Sequence, residues 1–155
     1  MKIKVNNNEF DSKILYNGDD DIYRIEVLDG SNVMGYATFK LKRQRYFDSV
    51  WLYKIETNKE YAHKGVGSAV INLLEYFAYQ NRAHTVEGKY FPENEYAKPF
   101  YDKFGYSIEK EGYETYIYKT LDFKTIKQTI ESNITGYEET LQDYDKMKDE
   151  QNFEM

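Results

Sequence analysis

The sequence predicts a single α/β (α+β) domain built on a mixed, mainly antiparallel sheet flanked by helices. Three observations lead there. The runs "DIYRIEVLD", "VMGYATFKLKR" and "SVWLYKIET" are rich in β-branched and aromatic residues and are separated by turn signals such as "DGSN". Val66, Ala69, Val70, Leu73, Leu74 and Phe77 then recur at three- and four-residue steps, which places them on one face of a helix. Beyond that helix, "HTVEGKYF" and "GYETYIYKTL" read as further strands around a short helical segment.

No helix is expected before Val66. In "NEYAKPFYDKFG", Asn94 is a candidate N-cap and Gly105 a stop signal, while Pro99 removes an N–H and should delay the start of that helix. From Asp122 onward, Ile130, Ile134, Tyr137, Leu141 and Tyr144 follow a near-heptad spacing. This predicts an acidic helical C-terminal tail over 122–155, following a folded body over 1–121, with Gly136 as a break point. The apolar seam of such a tail needs cover from the body or from a second copy in a homodimer.

Composition narrows the function. With 155 residues, 41% of them hydrophobic, the chain can bury a core of its own, and 17 Tyr and 9 Phe make that core or a pocket aromatic. There is no cysteine, which excludes a disulfide framework, a thiol nucleophile and thiolate metal ligands. His63 and His84 are the only histidines, so no metal is expected. The start "MKIKVNNNEF" lacks the apolar core of a signal peptide, and no run approaches the ~18 apolar residues of a membrane span. These features read as a cytoplasmic protein without a membrane partner. Of the net charge of −6, residues 122–155 carry −5 (nine acids, four bases) and residues 1–121 carry −1 (18 acids, 17 bases). Such a body is poorly suited to nucleic acid, whose binding rests on neutralising phosphates.

The stretch "AHKGVGSAVINLL" sets two glycines at the mouth of the amphipathic helix, where free N–H groups and the helix dipole favour an anion. It is not a Walker loop, which requires G-x-x-x-x-G-K-[ST]. It is not a dinucleotide fingerprint either, because Val70 stands where a third glycine belongs. A simpler reading is that Gly65 and Gly67 only let the helix pack close to a strand.

The same stretch resembles the acyl-CoA pyrophosphate loop, [Q/R]-x-x-G-x-[G/A], of the GNAT superfamily of N-acetyltransferases. "NEYAKPFYDKFGY" resembles the family's second hallmark through Asn94, Ala97, Tyr101, Gly105 and Tyr106, and the two segments lie in the family's order. The resemblance covers roughly residues 49–121. It implies that the amides of His63, Lys64, Gly65, Val66, Gly67 and Ser68 bind the pyrophosphate of acetyl-CoA, with Lys64 adding charge. It implies that Ile55, Glu56 and Thr57 pair with pantetheine as an added strand, that Asn94 hydrogen-bonds pantetheine, and that Tyr101 protonates the leaving thiolate. Four departures stand out. Ala62 replaces the Gln/Arg that opens the loop, His63 stands where glycine is frequent, and Pro99 lies inside the short helix. The positions of the common general bases hold Trp51, Tyr53 and Lys89. Glu87, on the same strand face as Lys89 and kept ionised by it, is the first candidate base, with Glu56 second and a water chain third.

These readings predict transfer of an acetyl group from acetyl-CoA to a primary amine of a small molecule or peptide. Trp51, Tyr53 and Lys89 would line an open aromatic acceptor site, because no helices are expected between the first strands. The alternative is a GNAT-fold module that binds CoA or a partner with little or no catalysis.

Overall fold

A computed structural model describes residues 1–137. The first 57 residues form five strands, each antiparallel to the next: β1 (Lys2–Val5), β2 (Asn8–Asn17), β3 (Ile22–Asp29), β4 (Asn32–Lys42) and β5 (Asp48–Thr57). A 3-10 turn leads to helix α1 (Val66–Gln80), followed by β6 (Ala83–Tyr90), α2 (Ala97–Lys103), β7 (Ser107–Glu111), β8 (Glu114–Thr120), α3 (Phe123–Thr129) and the two-residue β9 (Ile134–Thr135). The strands form one sheet in the order β7-β8-β6-β5-β4-β3-β2-β1-β9. Among the described residues only β5 and β6 run parallel, as the long α1 crossover between them requires.

One face of the sheet is the core. Helix α1 turns Val66, Ala69, Val70, Leu73, Leu74 and Phe77 onto it, all of them buried. They meet Ile25, Ala37, Phe39, Val50 and Leu52, and Phe39 sits edge-on to Phe77 with ring centroids 5.0 Å apart. Alternate strand residues point to the other face: Arg24, Glu26, Tyr36, Trp51, Lys54, Glu56, Glu87, Tyr116 and Tyr118. As expected, no α-helix forms before Val66, and β2 passes to β3 through the short turn 18–21. Polar and aromatic side chains therefore carry this face themselves.

Strand β5 contains an irregularity that positions the site. Phe39 pairs with Leu52 and Thr38 pairs with Lys54, so Tyr53 has no partner of its own. This is a β-bulge, and it reverses the alternation. Leu52 faces the core before it, and Ile55 and Thr57 do so after it.

The C-terminal segment departs from the helix that the heptad spacing predicts, since it breaks well before Gly136. Asp122 caps α3 by accepting from the N–H groups of Lys124 and Thr125. The helix stops at Thr129, where the Asn133 side-chain amide donates to the Thr129 carbonyl at 3.0 Å. The chain then turns and adds β9 to β1, with Ile134 opposite Ile3. Ile126, Ile130 and Tyr137 are buried against the body, so short-range polar contacts broke the helix while the seam residues still found cover. Leu141, Tyr144 and the rest of 138–155 lie outside the described residues. So does any homodimer contact they make.

Candidate functional site

Strands β5 and β6 pair from Asp48/Ala83 to Leu52/Gly88 and then part. Beyond that point β6 continues against β8, through Lys89↔Tyr116 and Tyr90↔Thr115. β5 continues against β4, through Thr38↔Lys54 to Gly35↔Thr57. Residues 53–57 therefore have a strand partner on one side only, and a wedge opens between the two strands.

The loop that follows β5 brings α1 to this wedge. His63 (φ 62°) and Gly65 (φ 85°) both occupy the left-handed region, so the chain turns sharply into the helix. Glycine suits the second position, and His63 is accommodated at the first despite its side chain. The first intrahelical bond runs from Ala69 N–H to the Gly65 carbonyl at 3.0 Å. The amides of Gly65, Val66, Gly67 and Ser68 thus precede the first internal donor. Gly65, the N-cap, offers no side-chain bond, and the first turn carries no acidic residue. This is an uncapped, electropositive helix mouth. Lys64 is exposed beside it, over the Tyr61 ring at 5.6 Å.

Gly67 has a second reason to be glycine. A Cβ there would stand 3.0 Å from Phe100 Cε2 and 3.6 Å from Thr57 Oγ1. One point thus joins α1, α2 and the free end of β5. The packing reading of this glycine is met, and the anion reading is compatible with it.

Helix α2 begins at Ala97, which puts Pro99 in its first turn, where the missing N–H costs nothing. The late start is as expected, but the cap is not. Tyr96 is the N-cap and makes no side-chain bond, while the Asn94 side-chain carbonyl accepts from Tyr96 N–H at 3.1 Å in the preceding turn. Asn94 is exposed on the loop between β6 and α2. Tyr101 is 4% exposed. It stacks on Tyr90 of β6 (5.7 Å between centroids) and touches Phe100 (5.4 Å) and Tyr106 (5.6 Å). Burial, reinforced by Tyr90, pushes its hydroxyl pKa well above the ordinary value.

On the opposite face, a cleft of about 370 Å³ is lined by Trp51, Glu87, Gly88, Glu109, Tyr116 and Tyr118. The register aligns Trp51, Glu87 and Tyr118 across β5, β6 and β8. Lys42 lies 4.4 Å from the centre of the Trp51 ring. Lys89 shares the Glu87 face, but its ammonium lies 3.2 Å from Glu114, so the expected support for Glu87 is not formed. Glu56 accepts from the Tyr36 hydroxyl at 2.8 Å and pairs with Lys54 at 3.2 Å, and these two partners hold its pKa below the usual carboxylate value. Tyr53, on the bulge, is 49% exposed. Glu109 was not singled out from the sequence. It sits on a charged edge strand with one inward apolar residue, Ile108, and nothing local marks it.

Among the described residues the mixed sheet splits at its single parallel pair, with an uncapped helix mouth at the split, an arrangement that can receive an anion. The chain belongs to the acetyltransferase (GNAT) family, whose match spans residues 5–106. No curated protein matches the chain by sequence. Among solved structures it is similar to the PaiA N-acetyltransferase of Thermoplasma acidophilum in complex with coenzyme A (TM-score 0.58, 20% identity, 65% of this chain and 62% of that one). It is also similar to a putative acyl-CoA N-acyltransferase of Klebsiella pneumoniae (TM-score 0.60, 13% identity, 68% and 77%). A third is Arabidopsis thaliana NAA60 in complex with a bisubstrate analogue (TM-score 0.57, 14% identity, 66% and 76%). At these identities the likeness concerns the fold.

Proposed function

We propose that this protein transfers an acetyl group from acetyl-CoA directly to a primary amine of a small molecule or peptide. The observation that carries the reading is the free edge of β5 at residues 53–57, which opens beside the uncapped mouth of α1. Pantetheine pairs along Ile55, Glu56 and Thr57 as an added strand. The pyrophosphate lies on the amides of His63 to Ser68, with Lys64 adding charge and Asn94 reaching the pantetheine arm. The amine attacks the thioester carbonyl, a β5 amide steadies the oxyanion, and the carbon–sulfur bond breaks as Tyr101 gives its proton to the sulfur. Burial keeps that phenol protonated at neutral pH. The same burial weakens it as an acid, and the thiolate formed in the same dry wedge is raised in basicity likewise. Glu87 takes the ammonium proton, directly or through one water. Trp51, Tyr53 and Lys89 line the acceptor side, whose aromatic faces and carboxylates suit a cation.

Gly67→Glu would be ambiguous as a test, because its side chain meets Phe100 whatever the ligand. Ser68→Glu is the cleaner variant. A carboxylate in the first helical turn favours folding but repels a pyrophosphate. Calorimetry should show CoA affinity reduced at least about 100-fold, roughly 2.7 kcal/mol, with a melting temperature unchanged or slightly raised. Wild-type affinity in that variant overturns the cofactor assignment. A second reading, a CoA-binding module without catalysis, is favoured by the engagement of Glu56 and Lys89 in ion pairs. Thiol release from acetyl-CoA across a panel of amines separates the two.

A further inference from the structure

The core face of α1 is apolar except at one position. Glu75 is 3% exposed in the middle of the helix and is ion-paired with Lys119, which points inward from β8. Taking a carboxylate out of water is costly even beside an ammonium that stays partly exposed, and apolar residues of similar size would serve stability as well. The surroundings of the pair indicate what it holds. The Lys119 ammonium lies 5.3 Å from the centre of the Tyr106 ring, and a Cβ at Gly105 would stand 3.9 Å from Lys119 Cε. Gly105 and Tyr106 are the exit of α2, where Tyr106 N–H donates back to the Tyr101 carbonyl at 3.0 Å. Tyr106 is 4% exposed, and its ring packs on Tyr101 at 5.6 Å.

Helix α2 is only seven residues long and cannot hold its own place. Phe100 anchors its middle on Gly67 at the first turn of α1. Its C-terminal end rests on Lys119, which is fixed from the middle of α1. We propose that Glu75 and Lys119 are positioning residues, a strut that sets the distance between the helix presenting the cofactor amides and the side chain of Tyr101.

The proposal rests on Tyr101 acting in thiolate release, and a double-mutant cycle separates the two claims. Glu75→Gln should lower kcat about tenfold with the KM for acetyl-CoA within about twofold, because the amides of α1 stay in place. In a Tyr101→Phe background the same substitution should have no further effect on kcat. Glu75→Gln/Lys119→Met, which leaves no unpaired buried charge, should keep the fold by circular dichroism and reproduce the kcat loss. If Tyr101→Phe alone leaves kcat unchanged, the role of Tyr101 is wrong. If Tyr101→Phe lowers kcat but Glu75→Gln lowers it further by the same tenfold, or lowers neither background, the strut is overturned. A loss confined to melting temperature also overturns it, since that is all a purely structural pair would give.

Discussion

The two faces of this sheet are built by different means. The helix face is close-packed and nearly dry, and its functional candidate, Tyr101, is held by rings on three sides. The open face is built from exposed or half-exposed side chains tied by ion pairs, such as Lys54–Glu56 and Lys89–Glu114. On the first face position follows from packing, and an altered residue disturbs its neighbours. On the second, side chains are largely independent, and surface ion pairs contribute little to stability. The proposed cofactor chemistry is thus placed where geometry is rigid, and acceptor recognition where substitution is cheap.

The largest expected effect tests the packed face. Tyr101→Phe should lower kcat by roughly 10²–10⁴, the usual loss of a general acid, with the CoA dissociation constant within about twofold. An unchanged kcat would mean that solvent protonates the thiolate. Phe77→Ala, deep on the same face, should destabilise the protein by about 3–5 kcal/mol in a urea titration. A cost below about 1 kcal/mol would show that the core relaxes, and with it the contrast between the faces. On the open face, Glu87→Gln should leave stability unchanged and depress kcat/KM on the order of 10–100-fold near pH 7. Raising the pH should restore much of this, because the free-amine fraction grows towards the ammonium pKa near ~10.4. If wild type and variant both simply follow the free-amine fraction, the protein has no dedicated base. The smallest effect is expected at Glu56. Its pKa is lowered in the folded state by Tyr36 first and Lys54 second, so its contribution is present above the unfolded value near ~4.3 and lost as pH falls through the folded value. Glu56→Gln should cost less than about 1 kcal/mol at pH 7, and nothing once both states are protonated.

The packed face was also the easier one to read from sequence. The three- and four-residue spacing of Val66 to Phe77 gave α1 its place, and the alternating strands 22–57 fell close to their true bounds. Strand β7 was not recognised because "SIEKE" carries a single apolar residue, and an edge strand needs no more. The β1–β2 hairpin was recognised only as strand-rich sequence. Its turn residues are Asn6 and Asn7, a weaker signal than Asn-Gly. Residues 130–137 misled because Ile130, Ile134 and Tyr137 are all inward-facing, yet three different local conformations deliver them. The pairings Lys89–Glu114 and Glu75–Lys119 span 25 and 44 residues and depend on strand register, which no local pattern contains.

The bulge at Tyr53 makes β5 a strand with a phase shift built into it. One unopposed residue lets the first half keep Val50 and Leu52 in the core beside β6, while the second half keeps Ile55 and Thr57 inward where β6 has gone. Were Tyr53 instead paired opposite Thr38, the same residues in a regular strand would carry the second half in the opposite phase. Lys54 and Glu56 would turn towards α1, and Ile55 and Thr57 towards water. The two halves of β5 both face the core correctly because one residue between them goes unpaired.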